Sequence, residues 1–182
     1  MADPSDEDLL ARVAVGDGDA FETFMERHLS AIGGYARRML GPTAADDVTQ
    51  ECFLRIWRAA AGRAAAAPAR AWMWRIAHNL VMDQVRAAKP HIYLDSVTLV
   101  EDRPGPEARR QSNEVAEALR REIAALPARQ RAALALVHDQ ELPAAEAAAI
   151  LEVSVAALES LLARARRRLR VVLGDLRKDL VE

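Results

Sequence analysis

The stretch that decides the fold lies near the C-terminus, where Leu142–Arg170 reads LPAAEAAAILEVSVAALESLLARARRRLR. Pro143 suits the first position of a helix, which the pattern continues to Leu151. A tight turn at Glu152–Val153 follows, and Ser154 is a natural N-cap for a second, longer helix. The spacing predicts a helix-turn-helix, although a plain helical hairpin fits the same pattern equally well.

The second of these helices has two distinct faces. Its apolar positions recur every three or four residues and predict a stripe that packs on the rest of the domain: Val155, Leu158, Leu162, Ala165, Leu169 and Val172. The outward side begins with small residues and continues into arginines: Ala156, Ser160, Ala163, Arg164, Arg167 and Arg170. Small side chains allow close approach to a DNA groove and arginines reach phosphates, so this order is typical of a recognition helix.

Upstream, a long segment without helical periodicity divides the chain. It spans residues 89–111, reads KPHIYLDSVTLVEDRPGPEARRQ and contains three prolines. A structureless segment of this length is unusual inside one compact domain, so it predicts a linker. We therefore expect domains at 1–89 and 112–182 joined by a flexible linker at 90–111. Since only 4% of the residues are aromatic and alanine and arginine abound, the predicted fold class is all-α.

Helix boundaries in the N-terminal domain follow from short polar signals. Ser5 and Asp8 have the spacing of a capping pair at the start of the first helix. Asp19 is the expected cap of the second helix, and Gly41–Pro42 is a good stop for it. Thr43 is the expected cap of the third.

A cationic and aromatic helix is predicted from about residue 69 to 88, and its Ala71–Arg86 part reads AWMWRIAHNLVMDQVR. One of its stripes consists of Arg75, Asn79, Met82 and Arg86. Trp72 and Trp74 are roughly 200° apart around a helix, so one of them is expected in the core and the other on a basic surface near Arg63 and Arg70. Arginines with an exposed aromatic suit single-stranded nucleic acid. A solvated face with one tryptophan on a neighbouring helix is the alternative.

The third motif, ADDVTQECFLRIW at Ala45–Trp57, combines a core stripe with an unusual outer face. Val48, Cys52 and Ile56 are expected inside. The outer side carries two large apolar residues among acids and an amide: Asp46, Asp47, Gln50, Glu51, Leu54 and Trp57. This predicts a protein-binding surface with an aromatic anchor, unless the helix is buried on two sides.

Charge and composition exclude several classes of function. The net charge is −2, but residues 61–90 and 161–182 each form a basic island with a net charge of +4. The single cysteine, Cys52, excludes an internal disulfide framework and fits a reducing cytoplasm, and the acidic N-terminus does not have the pattern of a signal peptide. No metal spacing, phosphate loop or catalytic triad supports an enzyme or a cofactor. We expect His78 and Asp83 to form a surface helix pair.

In order and spacing, DDVTQECFLRIW, AWMWRIAHNLVMDQVR, LPARQRAALAL and LLARARRRLR together resemble the small extracytoplasmic-function (ECF) group of bacterial sigma-70 factors. The resemblance implies a protein that binds core RNA polymerase, directs it to −35 and −10 promoter elements and assists promoter melting. A two-domain helix-turn-helix regulator that acts without polymerase is the alternative. The resemblance also implies a cytoplasmic protein restrained by an anti-sigma factor, which could hold it at the membrane.

The resemblance assigns roles to the motifs. It places the outer face of 45–57 on the coiled coil of the polymerase β′ subunit, with the β flap as a further contact. It gives the −10 element the following residues: Arg63, Arg70, Arg75, Asn79, Arg86 and Lys89. It gives the −35 element the following residues: Ser154, Ala156, Ser160, Ala163, Arg164 and Arg167. The loop Gly62–Arg70 corresponds to one that captures a flipped base.

Three features depart from the pattern of this group. Glu152 stands in the helix-turn-helix turn where glycine is usual. Glu159 and Leu161 stand where lysine and arginine are common, and Leu161 is expected at the edge of the core. The loop from Arg63 to Arg70 is almost all alanine, so it offers few side chains for reading a base. These departures bear on which promoter sequence is recognised.

Overall fold

The computed structural model describes residues 3–63, 68–87 and 116–179, with side chains up to Val171, and all regular structure within these ranges is helical. The N-terminal domain consists of α1 (Asp6–Val13), α2 (Gly18–Leu40), α3 (Pro42–Ala59), a 3₁₀ turn (Ala60–Gly62) and α4 (Ala69–Ala87). The C-terminal domain consists of α5 over 116–124, α6 (Ala128–Leu134), a π-helical turn (Ala135–Asp139), α7 (Ala144–Ile150) and α8 (Val155–Asp179). The all-α, two-domain fold class is confirmed; the linker at 90–111 lies outside the described residues.

The helix ends of the N-terminal domain agree in part with the sequence signals. Ser5 and Asp8 form the expected capping box of α1. The N-cap of α2 is Asp17, not Asp19: an Asp17 carboxylate oxygen accepts a hydrogen bond of 3.0 Å from the Ala20 amide. Gly41, with φ of 78°, ends α2 as expected and also precedes α3, which starts at Pro42 rather than after Thr43.

All four N-terminal helices contribute to one core. The largest fully buried side chains of this domain are Leu9, Leu10, Phe24, Ile32, Tyr35, Cys52, Ile56, Met73 and Val81. The ring of Tyr35 meets that of Trp74 edge-on, with 5.6 Å between the ring centroids. The core stripe predicted for the helix at 45–57 therefore faces inward. Met73, Trp74 and Val81 of α4 also face inward, and the opposite sides of both helices remain free for other contacts.

The helix-turn-helix is present, with a turn made without glycine. Glu152 adopts a left-handed φ of 54°, and the Val153 amide donates to the Ala148 carbonyl over 3.0 Å. This closes α7 in the way that a C-terminal glycine usually does. Ser154 caps α8, because its hydroxyl accepts a hydrogen bond of 3.1 Å from the Ala157 amide.

The two domains pack directly on each other. Helix α4 contacts α7, and α2 contacts α6 and the π-helical turn. Arg38 pairs with Asp139 at 2.8 Å, and the guanidinium of Arg131 donates to the carbonyl of Met39 at 3.1 Å. Buried apolar residues of both domains form one continuous cluster. The sequence patterns, which describe one helix at a time, did not predict this junction.

Candidate functional site

The outward face of α3 has the exposed mixture of acids and apolar groups that the sequence predicted. Asp46, Asp47 and Gln50 are exposed, and Leu54 is 40% exposed. Asp46 lies 3.5 Å from the guanidinium of Arg37. Because an exposed leucine among acids has no role in the domain's own core, this side of α3 is available to a partner.

Helix α2 completes this surface into a groove of about 320 Å³. Its apolar lining from α2 consists of Phe21, Met25 and Leu29, and Leu29 is 48% exposed. Gln50, Phe53 and Leu54 of α3 form the other wall. Sequence reasoning missed the contribution of α2, because the three residues lie on its amphipathic stripe and look like ordinary core positions. We refer to this groove and the outward face of α3 as the α2–α3 groove.

Trp57 differs from the predicted surface anchor. It is half-buried, and its ring meets Phe21 edge-on with 5.0 Å between the ring centroids. Glu51 is also half-buried and accepts a hydrogen bond of 2.7 Å from Arg55. Trp57 therefore supports the wall of the α2–α3 groove, and Leu54 is the more exposed apolar group.

Helix α4 presents the predicted stripe to solvent. Arg75, Asn79 and Arg86 are exposed. Arg86 donates to Asp83 at 2.5 Å and to the Met82 carbonyl at 3.2 Å. Arg75 has no ion-pair or hydrogen-bond partner for its guanidinium among the residues that the structure describes. A free guanidinium is available to bind a phosphate.

The two tryptophans of α4 divide as the sequence predicted. Trp74 is 2% exposed and belongs to the core. Trp72 is half-buried, and the guanidinium carbon of Arg63 lies 5.9 Å from its ring centroid, within the range of a cation–π contact. Arg70 is exposed and reaches the Gln140 carbonyl at 3.5 Å, while Lys89 lies outside the described residues.

A second cavity, of about 370 Å³, lies where α3 meets the α4 stripe. Asn79 and Ile76 line it from α4, and Arg55, Arg58 and Ala59 line it from α3. Arg58 is exposed and has no side-chain partner in the part of the chain that the structure describes. The sequence motif at 45–57 stopped one residue short of Arg58, so its cationic side was missed.

His78 is not part of a surface pair with Asp83, as the sequence suggested. It is buried, and its Nδ1 lies 2.8 Å from the Tyr35 hydroxyl. Burial, with smaller contributions from Arg129 and Arg86, lowers the pKa of His78 to about 4. Burial also raises the pKa of the Cys52 thiol to about 12, which makes this thiol unreactive at neutral pH.

The outward face of α8 is small at its start and cationic further on. Ala156 and Ala163 are exposed, and Ser160 is half-buried. Arg164 donates to the Ser160 hydroxyl at 2.9 Å, so the hydroxyl that the sequence offered for base contacts already has a partner. Arg167 is exposed and lacks a side-chain partner within the described ranges.

Other arginines of α8 are held within the C-terminal domain. Arg166 lies 3.0 Å from Nε2 of His138, and Arg168 lies 3.4 Å from a carboxylate oxygen of Glu122. Leu161 packs at the edge of the core, as expected. The fold and these faces define a two-domain helical protein with a helix-turn-helix and a second cationic helix.

Comparison with known proteins shows which family this helical protein resembles. The chain matches the sigma-70 region 2 family over residues 24–90 and the sigma-70 region 4 family over 116–169. It is 30% identical to the ECF RNA polymerase sigma factor SigW of Bacillus subtilis, covering 92% of this chain and 96% of that one. It is 35% identical to the ECF RNA polymerase sigma factor SigM of Mycobacterium tuberculosis, covering 94% and 86%. The solved structure of CnrH in complex with the cytosolic domain of CnrY matches with a TM-score of 0.70 and 30% identity, covering 93% and 97%.

The chain belongs to the ECF group of the sigma-70 family. It is an alternative sigma factor, a non-enzymatic subunit that directs RNA polymerase to promoters, as the sequence motifs indicated. None of the helices in the described ranges has the length and apolar character needed to cross a membrane.

Proposed function

We propose that this sigma factor divides its contacts among three surfaces. The α2–α3 groove binds the coiled coil of the polymerase β′ subunit, the α4 stripe holds the opened −10 strand, and the outward face of α8 binds the −35 element. The observation that supports this division is the opposite character of two neighbouring helices. Helix α3 exposes acids and Leu54 on one side, whereas α4 exposes arginines and Asn79.

For the docking step, the groove offers apolar area inside an acidic rim. A partner helix with basic residues around an apolar stripe fits both properties. The proposed contacts are those predicted from the sequence, namely Asp46, Asp47, Gln50, Glu51, Leu54 and Trp57. Leu29 and Met25 of α2 are added to them because they line the same groove.

Replacement of Leu54 by alanine tests the docking surface. Leu54→Ala should weaken binding to core polymerase by about tenfold, since exposed apolar anchors carry much of an interface's energy. Val15→Ala is the matched control, because Val15 is 85% exposed and lies outside the groove. Equal affinities of the two variants in a core-binding titration would exclude this surface.

For the −10 element, the supporting observation is the placement of Asn79 near free cations. Asn79 lines a cavity together with Arg58 of α3, and the exposed Arg75 lies one helical turn before Asn79 on α4. Arginines hold phosphates and an amide can bond a base edge, which suits an unpaired strand. Arg63, Arg70, Arg86 and Lys89 are proposed as further contacts to the same strand.

For the −35 element, the proposed contacts are Ser154, Ala156, Ser160, Ala163, Arg164 and Arg167. The capped N-terminus of α8 and Arg167 are placed to bind the DNA backbone. We propose the β flap as the polymerase partner of this domain. The domain limits of 1–89 and 112–182 belong to the same proposal.

A gel-shift assay separates this function from that of a regulator that works without polymerase. The sigma factor should bind a promoter duplex strongly only when core polymerase is present, since its net charge of −2 gives weak affinity for free DNA. Equally strong binding by the isolated chain would favour the regulator.

We further propose a cytoplasmic location and an anti-sigma partner that can hold the protein at the membrane. CnrH, a relative with a similar solved structure, is found in complex with the cytosolic domain of CnrY. Co-purification from cells, followed by fractionation of membranes, tests both parts. Recovery in the membrane fraction only when the copurifying protein is present is the expected result.

A further inference from the structure

Helix α1 begins with three consecutive acids, and each of them bonds to a different part of the domain. Asp8 closes the capping box with Ser5 at the start of α1. Asp6 lies 2.6 Å from Arg27 and 2.8 Å from His28, both on α2. Glu7 reaches across the domain instead, and its carboxylate accepts a hydrogen bond of 3.1 Å from the backbone amide of Ala69.

Ala69 is the first residue of α4, so this amide is one of the donors that a helix leaves without an internal partner. A carboxylate at the positive end of a helix satisfies such a donor and is favoured by the helix dipole. Ala69 is itself fully buried, which fixes its place against α1. Glu7 therefore acts as the N-terminal cap of α4, although it is 62 residues away.

The same helix also contacts the other end of the connection between α3 and α4. Helix α1 packs on the 3₁₀ turn Ala60–Gly62 as well as on α4. Arg63 follows the turn directly, and Arg70 lies next to the capped amide. Both ends of the segment that carries these cations are thus held by one short helix.

We propose that Glu7 is a positioning residue for promoter opening. By capping α4 it sets the place and direction of the helix's first turn, which carries Arg70 and leads to the free Arg75. This inference rests on the proposed −10 role of α4. It adds to that role a residue from α1, which lies before the matched family region at 24–90.

Glu7 has no comparable task within α1. The Ser5–Asp8 capping box and the buried Leu9, Leu10 and Val13 of this helix do not involve Glu7, so they should remain when Glu7 is changed. Glu7→Ala should therefore disturb the start of α4 while α1 stays folded. Glu7→Gln keeps an acceptor oxygen at the same reach and should restore most of the function.

The test compares Glu7→Ala and Glu7→Gln with Asp8→Ala, which removes a cap of α1 but no contact to α4. Each holoenzyme is measured for core affinity and for permanganate reactivity of the opened promoter. Amide hydrogen exchange at Ala69 gives a direct readout of the cap. Glu7→Ala should lower the reactivity by about fivefold, the effect of losing a typical cap, and should speed exchange at Ala69. Core affinity should not change, and Glu7→Gln and Asp8→Ala should stay close to the wild type.

Two results would overturn the inference by itself: equal loss of reactivity in Glu7→Ala and Asp8→Ala, or unchanged Ala69 exchange in Glu7→Ala. Equal loss of reactivity would mean that Glu7 contributes only to general stability. Unchanged exchange would mean that Glu7 does not cap α4. Unchanged reactivity in Arg75→Glu would overturn the −10 role of α4 and the inference with it. The Arg75→Glu holoenzyme, measured beside the Glu7 variants, therefore separates the two failures.

Discussion

Helices α4 and α8 both lie in basic islands with a net charge of +4, yet they present different chemistry. On α4, Arg75 is free among the described residues and Asn79 lines a cavity. On α8, several cations are committed to neighbours within the domain: Arg164 to Ser160, Arg166 to His138 and Arg168 to Glu122. Each helix keeps a free guanidinium among the described residues, Arg75 on α4 and Arg167 on α8, so the two helices differ in the groups that lie beside it.

This difference between α4 and α8 determines what each helix can recognise. An amide close to free guanidiniums and a nearby tryptophan suit an unpaired strand, where both bases and phosphates are accessible. A helix with alanines at its start and one engaged hydroxyl has few groups for base edges, so it depends on backbone contacts and DNA shape. The comparison predicts that α4 discriminates between bases at the −10 element. It also predicts that α8 binds the −35 element mainly through backbone contacts and DNA shape.

Charge reversal should show the largest difference between the two helices. Arg75→Glu should lower open-complex formation by about a hundredfold, because it removes a charge-assisted phosphate contact and adds repulsion. Arg167→Glu should weaken promoter binding but leave the strand opening of bound complexes intact. Permanganate reactivity at saturating holoenzyme separates the two. Equal loss of opening in both variants would mean that the helices do not have distinct roles.

Acid should destabilise the packing of α4 through His78. The pKa of His78 is lowered to about 4 from 6.5, so the unfolded chain binds a proton that the folded chain does not between these values. The contribution of neutral His78 is fully present above pH 6.5 and is lost as the pH falls toward 4. Over that range the free energy of unfolding should drop by about 2 kcal/mol more than in His78→Gln. On α8, as far as its side chains are described, the buried residues are Leu158, Leu162 and Ala165, none of which can titrate.

Parallel denaturant titrations of the chain and His78→Gln at several pH values measure this difference. Identical pH dependence of the two proteins would show that folding does not shift the pKa of His78. The carboxylates, which titrate in the same range, are present in both proteins and cancel in the comparison.

Base discrimination should distinguish Asn79 from Ser160. Asn79→Ala should reduce the preference for one −10 base by about 1–2 kcal/mol, the usual value of a side-chain contact to a base edge. Ser160→Ala should change the preference at every −35 position by less than that, because the Ser160 hydroxyl already bonds Arg164. Promoter-variant series with each holoenzyme provide the measurement. A −35 position that depends strongly on Ser160 would contradict the assignment of backbone recognition to α8.

The smallest effect is expected in the turn before α8. Glu152 has a left-handed φ of 54°, which a glycine adopts without strain, so Glu152→Gly should raise the free energy of unfolding by about 0.5–1 kcal/mol. Ala149→Gly is the matched control, because Ala149 lies exposed inside α7 and glycine there should lower stability by about 1 kcal/mol. Thermal unfolding checks both. A loss of stability in Glu152→Gly would show that its side chain has a compensating contact.

Periodicity predicted the elements that matter most for function. The stripes through Val48, Cys52 and Ile56 and through Leu158, Leu162 and Ala165 are buried as expected, since a helix of regular pitch fixes which positions share a face. The same geometry predicted that one of Trp72 and Trp74 is buried in the core and the other lies at the surface. These predictions need only one helix at a time, which is why the sequence suffices for them.

Properties that depend on two elements were harder to predict. Trp57 is half-buried because Phe21 of α2 packs on it. His78 is buried beside Tyr35 of α2 and forms a hydrogen bond with its hydroxyl. The N-cap of α2 is Asp17 and not the predicted Asp19. Either aspartate satisfies the local sequence signal, and the path of the chain after α1 decides between them. The site residues proposed from the resemblance lie within the described residues except for Lys89, and their roles remain predictions.

The junction between the domains has a consequence for how the protein tolerates sequence change. Across this junction, Arg131 and Arg70 donate to main-chain carbonyls, those of Met39 and Gln140. Every amino acid supplies a carbonyl, so substitutions at these two acceptor positions preserve the hydrogen bonds. The polar contacts of this junction thus depend on few side chains, chiefly the two arginines and the Arg38–Asp139 pair. The acceptor side of the two arginine contacts therefore tolerates substitutions that keep the apolar packing around it.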